Sequence, residues 1–295
     1  MMKLQGIRLA LYKRSGFRYT NIGNYEHPLP RRSGFLHTWT RGLSCIFMQD
    51  EEGKTEKTTR RKDMNTVGII GAMEIEVETL KKHMKIRRTV NKAHMEFCEG
   101  VLGGKEVVVV RSGIGKVNAA VCTQILVDDF KADTVINTGI AGSLKAEINI
   151  GDIVVSTDLV HHDMDAVNFG YPLGQIPQMD TFSFKADEKL VELAEKACHE
   201  VNPEIQVFRG RIVSGDQFIA EKAVKERIAE NFQGYCTEME GAAIAQAAYL
   251  NEVPFVVLRA ISDKADDSAT MDYPTFEAKA AEHCVKLVEH FLELL

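Results

Sequence analysis

Beyond its first 63 residues the chain alternates between short β-branched runs and segments with helical spacing, and this rhythm limits the fold more than any other feature. Strand-like runs at residues 66–70, 106–111 and 134–138 are separated by segments in which helices are predicted from about Glu74 and Lys116. Such alternation is typical of α/β proteins, in which helices cover the faces of a sheet. The sequence therefore predicts an α/β fold for this part of the chain.

One segment departs from the parallel pattern and predicts a mixed sheet. Residues 95–102 are followed by Gly103-Gly104, a dipeptide typical of a hairpin turn. The last helix, predicted over residues 274–294, carries an apolar stripe at spacings of three and four, as a helix packed on a sheet requires. No internal repeat or Pro/Gly-rich linker divides residues 64–295, so we expect one domain there. Further strands are predicted at residues 152–156, 207–213 and 254–260.

The first 63 residues differ sharply in charge from the rest. They hold 13 Lys and Arg against 6 Asp and Glu, a net charge of +7, whereas the remainder holds 23 against 36, a net charge of −13. Pro, Gly and a charged run interrupt any persistent pattern, so residues 1–63 are predicted to be a disordered basic extension. An extended reading frame explains this segment better than a transit peptide, because it has little Ser and no clear amphipathic helix. Met64 would be a natural start for the compact domain.

The composition of the main body excludes several classes of function. An acidic domain is a poor partner for nucleic acid, whose binding depends on Lys and Arg that neutralise phosphates. No apolar run approaches the roughly 18 residues that a membrane-spanning helix needs, so we expect a soluble protein without a membrane partner. The six cysteines are scattered without a CxxC pair, which favours reduced thiols in the cytosol. The HHDMD run at residues 161–165 is interpreted as a loop rather than a metal site, because no second cluster completes it.

Three strands run into short glycine-containing turns, at the edge where open α/β sheets bind ligands. The turn at 71–76 carries Glu74 and Glu76, which could serve a ligand or simply cap a helix, and on this segment alone capping is favoured. The turns at 112–117 and 137–143 are small enough for main-chain groups to reach a ligand. The turn at 112–117 is not a phosphate-binding P-loop, because the first glycine of that motif is missing.

Two later segments carry acids at the ends of predicted elements. Residues 238–245 read EMEGAAIA, and residues 259–266 read RAISDKAD at the end of a very apolar strand. Asp263 thus ends a buried strand, which is an unusual place for a carboxylate. It could be the N-cap of the following segment, a role that Ser262 fills equally well, or a catalytic group. The segment alone leaves these two interpretations even.

Six segments together resemble the 5′-methylthioadenosine/S-adenosylhomocysteine nucleosidases in order and in spacing. They are GAMEIEVETL (71–80), SGIGKVNAA (112–120), INTGIAGSL (136–144), VSGDQFI (213–219), TEMEGAAIA (237–245) and RAISDKAD (259–266). The resemblance covers essentially all of residues 64–295. It implies an α/β fold of the nucleoside phosphorylase-like kind, a three-layer αβα sandwich with a central mixed β-sheet, active as a homodimer without cofactor or metal. It also implies hydrolysis of 5′-methylthioadenosine, S-adenosylhomocysteine and 5′-deoxyadenosine to adenine, in cytoplasmic methionine salvage.

Carried over by position, the resemblance assigns roles to individual residues. Glu76 would be the base that activates water, Asp263 the acid that protonates adenine at N7, and Glu240 the group that holds the ribose hydroxyls. The other implied substrate contacts are Phe218, stacked on adenine; Ile219, through its main chain; Met239, Gly142 and Ala141, at the ribose; Met73, Ile114 and Tyr273, at the thioether; Ser262, beside the acid; and Phe169 and Tyr171, lent by the partner subunit. One departure is Ile140, where many relatives have Ser, so that a hydroxyl contact is missing while main-chain contacts can remain.

The implied reaction explains why carboxyl groups are needed. Cleavage of the C1′–N9 bond builds positive charge on the sugar and negative charge on the purine, so the site needs an acid at the base and carboxylates near the sugar. The nearest rival function is a nucleosidase for futalosine-type nucleosides or AMP, which would differ in the 5′ pocket. A phosphorylase is disfavoured because Glu76 would repel phosphate, and a non-catalytic member of the fold is disfavoured by the intact acids.

Overall fold

A computed structural model describes residues 66–265 and 269–295, with side chains to Ala265 and again from Phe276. The predicted extension at residues 1–63 and the start at Met64 lie outside the described residues. The strands are β1 (Thr66–Gly71), β2 (Lys85–Lys92), β3 (Met95–Leu102), β4 (Lys105–Arg111), β5 (Thr134–Ser143), β6 (Ile153–His161), β7 (Phe184–Lys185), β8 (Val207–Ser214), β9 (Cys236–Glu238) and β10 (Phe255–Asp263). The helices are α1 (Glu74–His83), α2 (Lys116–Phe130), α3 (Glu188–Val201), α4 (Lys222–Phe232), α5 (Gly241–Leu250) and α6 (Ala269–Leu294), with a 3-10 turn at Val167–Phe169.

The strands form one mixed sheet, as predicted. Strands β2, β3, β4, β1 and β5 lie side by side, with β3 antiparallel to both β2 and β4, and β1 parallel to both β4 and β5. Beyond β5 the sheet closes into a ring through β10, β6, β8 and β9, because β5 pairs with β10 on one side and with β9 on the other. The parallel strands β1, β5 and β10 therefore end at the same edge.

Helices cover the two faces of this sheet and confirm the three-layer αβα architecture. One buried apolar cluster includes side chains of α1, α3 and α6, among them Leu80, Val191 and Phe291. The other includes side chains of α2 and α5, among them Leu126 and Ile244. The strands between them are apolar and buried along most of their length, as expected for strands covered on both faces. Within the described parts of the chain, none of the helices combines the length and the apolar character needed to cross a membrane.

Several elements differ from the sequence prediction, among them β2, β6 and α6. Strand β2 was not predicted, because its sequence KIRRTVNK is largely exposed and charged and lacks the apolar alternation of a half-buried strand. Strand β6 extends to His161, so the HHDMD run begins on a strand rather than entirely in a loop. Helix α6 begins at Ala269, before the predicted start at residue 274.

Candidate active site

A cavity of about 640 Å³, including its open mouth, lies at the carboxyl edge of the sheet where β1, β5 and β10 end. It is lined by eleven of the fourteen residues that the sequence analysis singled out: Met73, Glu76, Ile114, Ala141, Gly142, Phe218, Ile219, Met239, Glu240, Ser262 and Asp263. Its other lining residues are Ala72, Ile140, Gln217, Thr237 and Glu238. The fold thus brings together side chains that are up to about 190 positions apart in the sequence.

Two of the predicted residues, Phe169 and Tyr171, do not line this cavity. Phe169 is 83% exposed at the end of the 3-10 turn, and Tyr171 follows it on the same surface loop. Both are predicted to reach the site of a partner subunit, and that role stays a prediction. The side chain of Tyr273 lies outside the described residues.

Glu76 lies in the first turn of α1, and its carboxylate is fixed by three backbone donors. The N–H groups of Ala72 and Met73 donate to Oε2 at 2.6 and 2.9 Å, and the N–H of Ile140 on β5 donates to Oε1 at 3.1 Å. The contact to Met73 caps the helix, so the capping interpretation holds as well, but the bond to Ile140 joins the acid to the neighbouring strand end. The N–H of Ile140 is therefore used to hold the predicted base.

The electrostatic environment of Glu76 suits a proton acceptor near neutral pH. Burial raises the pKa of this carboxyl, and the charge of Arg259 together with the three N–H donors opposes the rise only in part. Gly139 leaves room for the carboxylate, since a Cβ there would lie 2.5 Å from Glu76 Oε1. A base works best when its pKa approaches the operating pH, so this environment favours general-base catalysis.

Asp263 ends β10 and is 2% exposed. Its Oδ1 accepts the N–H of Ala265 at 2.7 Å, and its Oδ2 accepts the hydroxyl of Ser262 at 2.9 Å. Helix α6 is described from Ala269, and residues 266–268 lie outside the described residues, so the choice between an N-cap and a catalytic group stays a prediction. Within the described residues, the carboxylate closes a short turn with Ala265.

An irregularity in the pairing of β10 with β5 precedes this acid. Ile261 pairs with Ala141, and Asp263 pairs with Gly142, so two steps along β10 match a single step along β5. This is the count of a β-bulge with Ser262 as the extra residue, and bulges re-aim side chains at sheet rims. Gly142 also makes room for the acid, since a Cβ there would lie 2.7 Å from Asp263 Oδ1.

Glu240 precedes α5 and connects it to the glycine-rich turn at residues 112–117. The N–H of Gly115 donates to Glu240 Oε1 at 2.8 Å, and Gly115 has the positive φ of 98° that favours glycine. Burial and the negative charge of Glu238 raise the pKa of Glu240 to about 8, against the opposing charge of Arg259. The turn therefore uses its main chain to hold a carboxylate of the protein.

Two buried charged residues, Arg259 and Glu238, have no role predicted from the sequence. Arg259 lies in the middle of apolar strand β10, and its Nη2 is 2.5 Å from Glu238 Oε2 and 2.6 Å from Asn137 Oδ1. Arg259 itself could have indicated this buried pair from the sequence, because a guanidinium within a run of buried apolar residues requires a partner.

Comparison with known proteins identifies the class of this fold and site. The model of the phosphorylase superfamily matches residues 66–293, so the described domain belongs to that superfamily. Within it, a curated 5′-methylthioadenosine/S-adenosylhomocysteine nucleosidase of Bacillus cereus (strain G9842) is 44% identical over 230 residues, which are 78% of this chain and 99% of that protein. The chain belongs to the 5′-methylthioadenosine/S-adenosylhomocysteine nucleosidase family.

Two solved structures illustrate the range of similar proteins. The nucleosidase of Neisseria meningitidis, solved in complex with methylthio-immucillin-A, is 41% identical with a TM-score of 0.76, and the match covers 79% of this chain and all of that one. A futalosine hydrolase of Helicobacter pylori is 34% identical with a TM-score of 0.75, and the match covers 79% of this chain and 99% of that one. The fold is therefore shared by hydrolases of more than one nucleoside.

Proposed function

We propose that this chain hydrolyses the N-glycosidic bond of 5′-methylthioadenosine and S-adenosylhomocysteine, and also of 5′-deoxyadenosine, releasing adenine and the 5′-substituted ribose. The observation that carries the proposal is the meeting of Glu76, Glu240 and Asp263 in one cavity with apolar walls. Membership of the nucleosidase family supports it. The reaction serves methionine salvage, since it removes thioether by-products of S-adenosylmethionine and frees adenine.

In the proposed reaction each acid acts at a separate part of the substrate. Glu76 takes a proton from water as the oxygen attacks C1′, and the electron pair of the C1′–N9 bond passes to the purine. Asp263 supplies the proton that adenine needs at N7, so adenine leaves as a neutral base. Glu240 accepts hydrogen bonds from the ribose hydroxyls. The hydroxyl of water adds to C1′ of the sugar, and the remaining proton of water goes to Glu76. Transfer of one proton from Glu76 back to Asp263 returns both groups to their starting state, so no cofactor or metal is required.

The position of Glu76 favours water over phosphate as the nucleophile. An ionised carboxylate in the space of the nucleophile repels a phosphate dianion and accepts a hydrogen bond from water. The nearest buried cation, Arg259, is already paired with Glu238. Hydrolysis is therefore preferred to phosphorolysis.

The walls of the cavity favour a purine and a 5′-thioether. Phe218 offers a ring for stacking on adenine, and Ile219 offers main-chain groups to its edge. Met73 and Ile114 are apolar residues of the cavity wall, and the proposal assigns them to the 5′ substituent. A sulfur atom suits such a surface better than the charged group of a nucleotide does. Met239, Ala141 and Gly142 complete the ribose side, and Tyr273 is proposed to join the thioether wall.

One assay tests this function against its rivals. Purified protein should release adenine from 5′-methylthioadenosine at the same rate with and without inorganic phosphate, as followed by chromatography. Parallel reactions with futalosine and AMP should be much slower. Strict dependence on phosphate would establish a phosphorylase, and faster cleavage of futalosine would establish the rival nucleosidase.

We further propose that the protein acts as a homodimer. Apolar side chains of α2 and α5 are exposed, among them Val117, Val121, Tyr249 and Leu250. Two of these, Val117 and Leu250, line a surface groove. Exposed apolar patches of this kind mark association surfaces. In the proposed dimer, Phe169 and Tyr171 are lent to the neighbouring cavity, and burial of Phe169, which is 83% exposed, would remove its large exposed area from water.

Leu250→Glu should weaken the dimer, because a carboxylate would be buried in the apolar interface. Leu250 is 64% exposed, so the free subunit should tolerate the change. Light scattering after gel filtration should show a dimer for the parent and a monomer for the variant, consistent with about 10²-fold weaker association. Ile86→Glu is the matched control, since Ile86 is 45% exposed on β2 and its variant should remain dimeric. A dimeric Leu250→Glu would contradict the proposed interface.

The functional unit is proposed to be residues 64–295, in the cytoplasm. All fourteen candidate residues fall within this range, and the described cysteines are free and buried, as suits a reducing compartment. A protein that starts at Met64 should therefore keep its turnover and its melting temperature within about 2 °C of the full chain. Differential scanning calorimetry and the adenine assay check this prediction. Loss of folded protein on truncation would show that residues 1–63 belong to the domain.

A further inference from the structure

A single buried cation lies beneath three carboxylates in the described part of the cavity floor. Arg259 is 2% exposed, and its charge is felt by Glu76, Glu238 and Glu240. Its Nη2 lies 2.5 Å from Glu238 Oε2 but 4.0 Å from Glu240 Oε2. A Cβ on Gly139 would lie 3.0 Å from Arg259 Nη1 and 2.5 Å from Glu76 Oε1, so the arginine and the base flank the same glycine. Arg259 therefore interacts with several carboxylates, and Glu238 is the closest of them.

Glu238 is held in place by hydrogen bonds to both of its oxygens. The Ser214 hydroxyl donates to Oε1, while the N–H groups of Glu240 and Gly241 donate to Oε2 at 3.0 and 2.7 Å. Burial alone would raise the pKa of Glu238, but the charge of Arg259 and these hydrogen bonds outweigh it and lower that pKa below its usual range. Glu238 is consequently ionised while Glu240, two residues on, has a raised pKa.

This arrangement affects the chemistry of the two acids that face the substrate. Glu238 neutralises much of the charge of Arg259 and adds its own negative charge beside Glu240. Both effects oppose ionisation of the cavity acids, because a cation stabilises a carboxylate and a neighbouring anion destabilises it. The other ionisable groups that the cluster influences are His161, His162, Cys236 and Cys284.

We infer that Glu238 is a positioning residue for the reaction: it anchors Arg259 below the cavity and limits how strongly that cation acts on Glu76 and Glu240. The inference rests on the proposed hydrolysis, since it concerns how the base of that reaction is kept strong. Glu238 also fixes the backbone at the start of α5, which places Glu240. It acts through Arg259 and Glu240, and no proton transfer to the substrate is assigned to it.

The substitution Glu238→Gln tests this role while keeping the shape of the side chain. The amide oxygen can accept the N–H groups of Glu240 and Gly241, and the amide nitrogen can donate to Ser214 Oγ, because a hydroxyl both donates and accepts. With the charge of Arg259 no longer balanced, the pKa values of Glu76 and Glu240 should fall. The acid limb of the pH profile of kcat/KM should move down by about one pH unit. The kcat at the optimum should fall about tenfold, because the base is weaker, while KM changes little.

A second variant shows whether the effect passes through the arginine. Adding Arg259→Gln to Glu238→Gln removes both charges and leaves no buried charge of this pair unpartnered, so the double variant should fold even if the single variant does not. Its acid limb should return to the parental pH or above it, because the cation that lowered the pKa of Glu76 is gone. Ser214→Ala is the structural control, since it removes a hydrogen bond to Glu238 but no charge, and it should lower thermal stability without moving the acid limb.

The outcomes separate this inference from the proposed function. A parent protein that releases no adenine would contradict the function itself. An active parent whose Glu238→Gln variant keeps the parental acid limb would contradict only the role of Glu238, and so would a double variant in which the limb stays lowered. A limb that moves down in the single variant and back in the double variant would support the inference.

Discussion

Asp263→Asn is expected to fold normally, to bind a neutral adenosine analogue and to lose nearly all turnover. The amide oxygen can keep the bond from the Ala265 N–H, and the amide nitrogen can donate to the Ser262 hydroxyl, which now accepts. The amide cannot transfer a proton to adenine N7, so we expect a loss of about 10²–10⁴ in kcat. Adenine release, analogue binding by calorimetry and thermal melting are the measurements.

A matched substitution at a true helix cap makes this result decisive. Asp187 caps α3 by accepting the N–H groups of Lys189 and Leu190, and it does not line the cavity. Asp187→Asn should leave both stability and turnover near those of the parent, because Asn caps about as well as Asp. If Asp263→Asn behaved in the same way and cleaved 5′-methylthioadenosine at close to the parental rate, Asp263 would not be the acid.

Glu76→Gln should also abolish most turnover, by about 10²–10⁴, because the amide cannot take a proton from water. Its effect on folding should differ from that of Asp263→Asn. Both oxygens of Glu76 accept backbone N–H groups, and one of them would become an NH₂ group that meets the N–H of Ile140. We therefore expect a destabilisation of about 1–3 kcal/mol from this unsatisfied contact, partly offset by the removal of a buried carboxylate. Thermal melting measures the destabilisation, and the adenine assay measures the loss of turnover.

The pH dependence and a neighbouring control complete this test. Because burial raises the pKa of Glu76, the parental turnover should fall as the pH decreases through that raised value, where the base becomes protonated. Residual turnover of Glu76→Gln should lack this dependence. Glu74→Gln changes a half-exposed carboxylate in the same helical turn and should retain turnover. Near-parental turnover of Glu76→Gln would rule out Glu76 as the base.

Much of the sheet could be predicted because its buried strands carry continuous apolar runs. Strands β1, β4 and β5 were predicted from such runs, whereas exposed β2 was missed because charged side chains on an edge strand hide its periodicity. The candidate residues at the strand ends gathered in one cavity because parallel strands finish at a common edge. Local patterns alone could not separate capping from catalysis at Glu76 and Asp263.

Pairing between distant residues is what the sequence could not predict. The partnership of Arg259 with Glu238 requires that β10 and the end of β9 meet across β5, and no sequence periodicity encodes that meeting. The irregular pairing at Ser262 could not be predicted either, because one extra residue in a strand does not change the apolar pattern of its sequence. Both features depend on the register of the assembled sheet.

The bulge at Ser262 has a consequence for engineering this protein. A designer who wanted a more thermostable nucleosidase would be inclined to regularise β10, because ideal strands give the most stable designs. Deleting Ser262 would restore one-to-one pairing with β5, but it would also remove the hydroxyl that donates to Asp263 and the local bend that aims this acid. Thermostabilising changes are therefore better placed on the exposed β2 arm, far in the sheet order from β10.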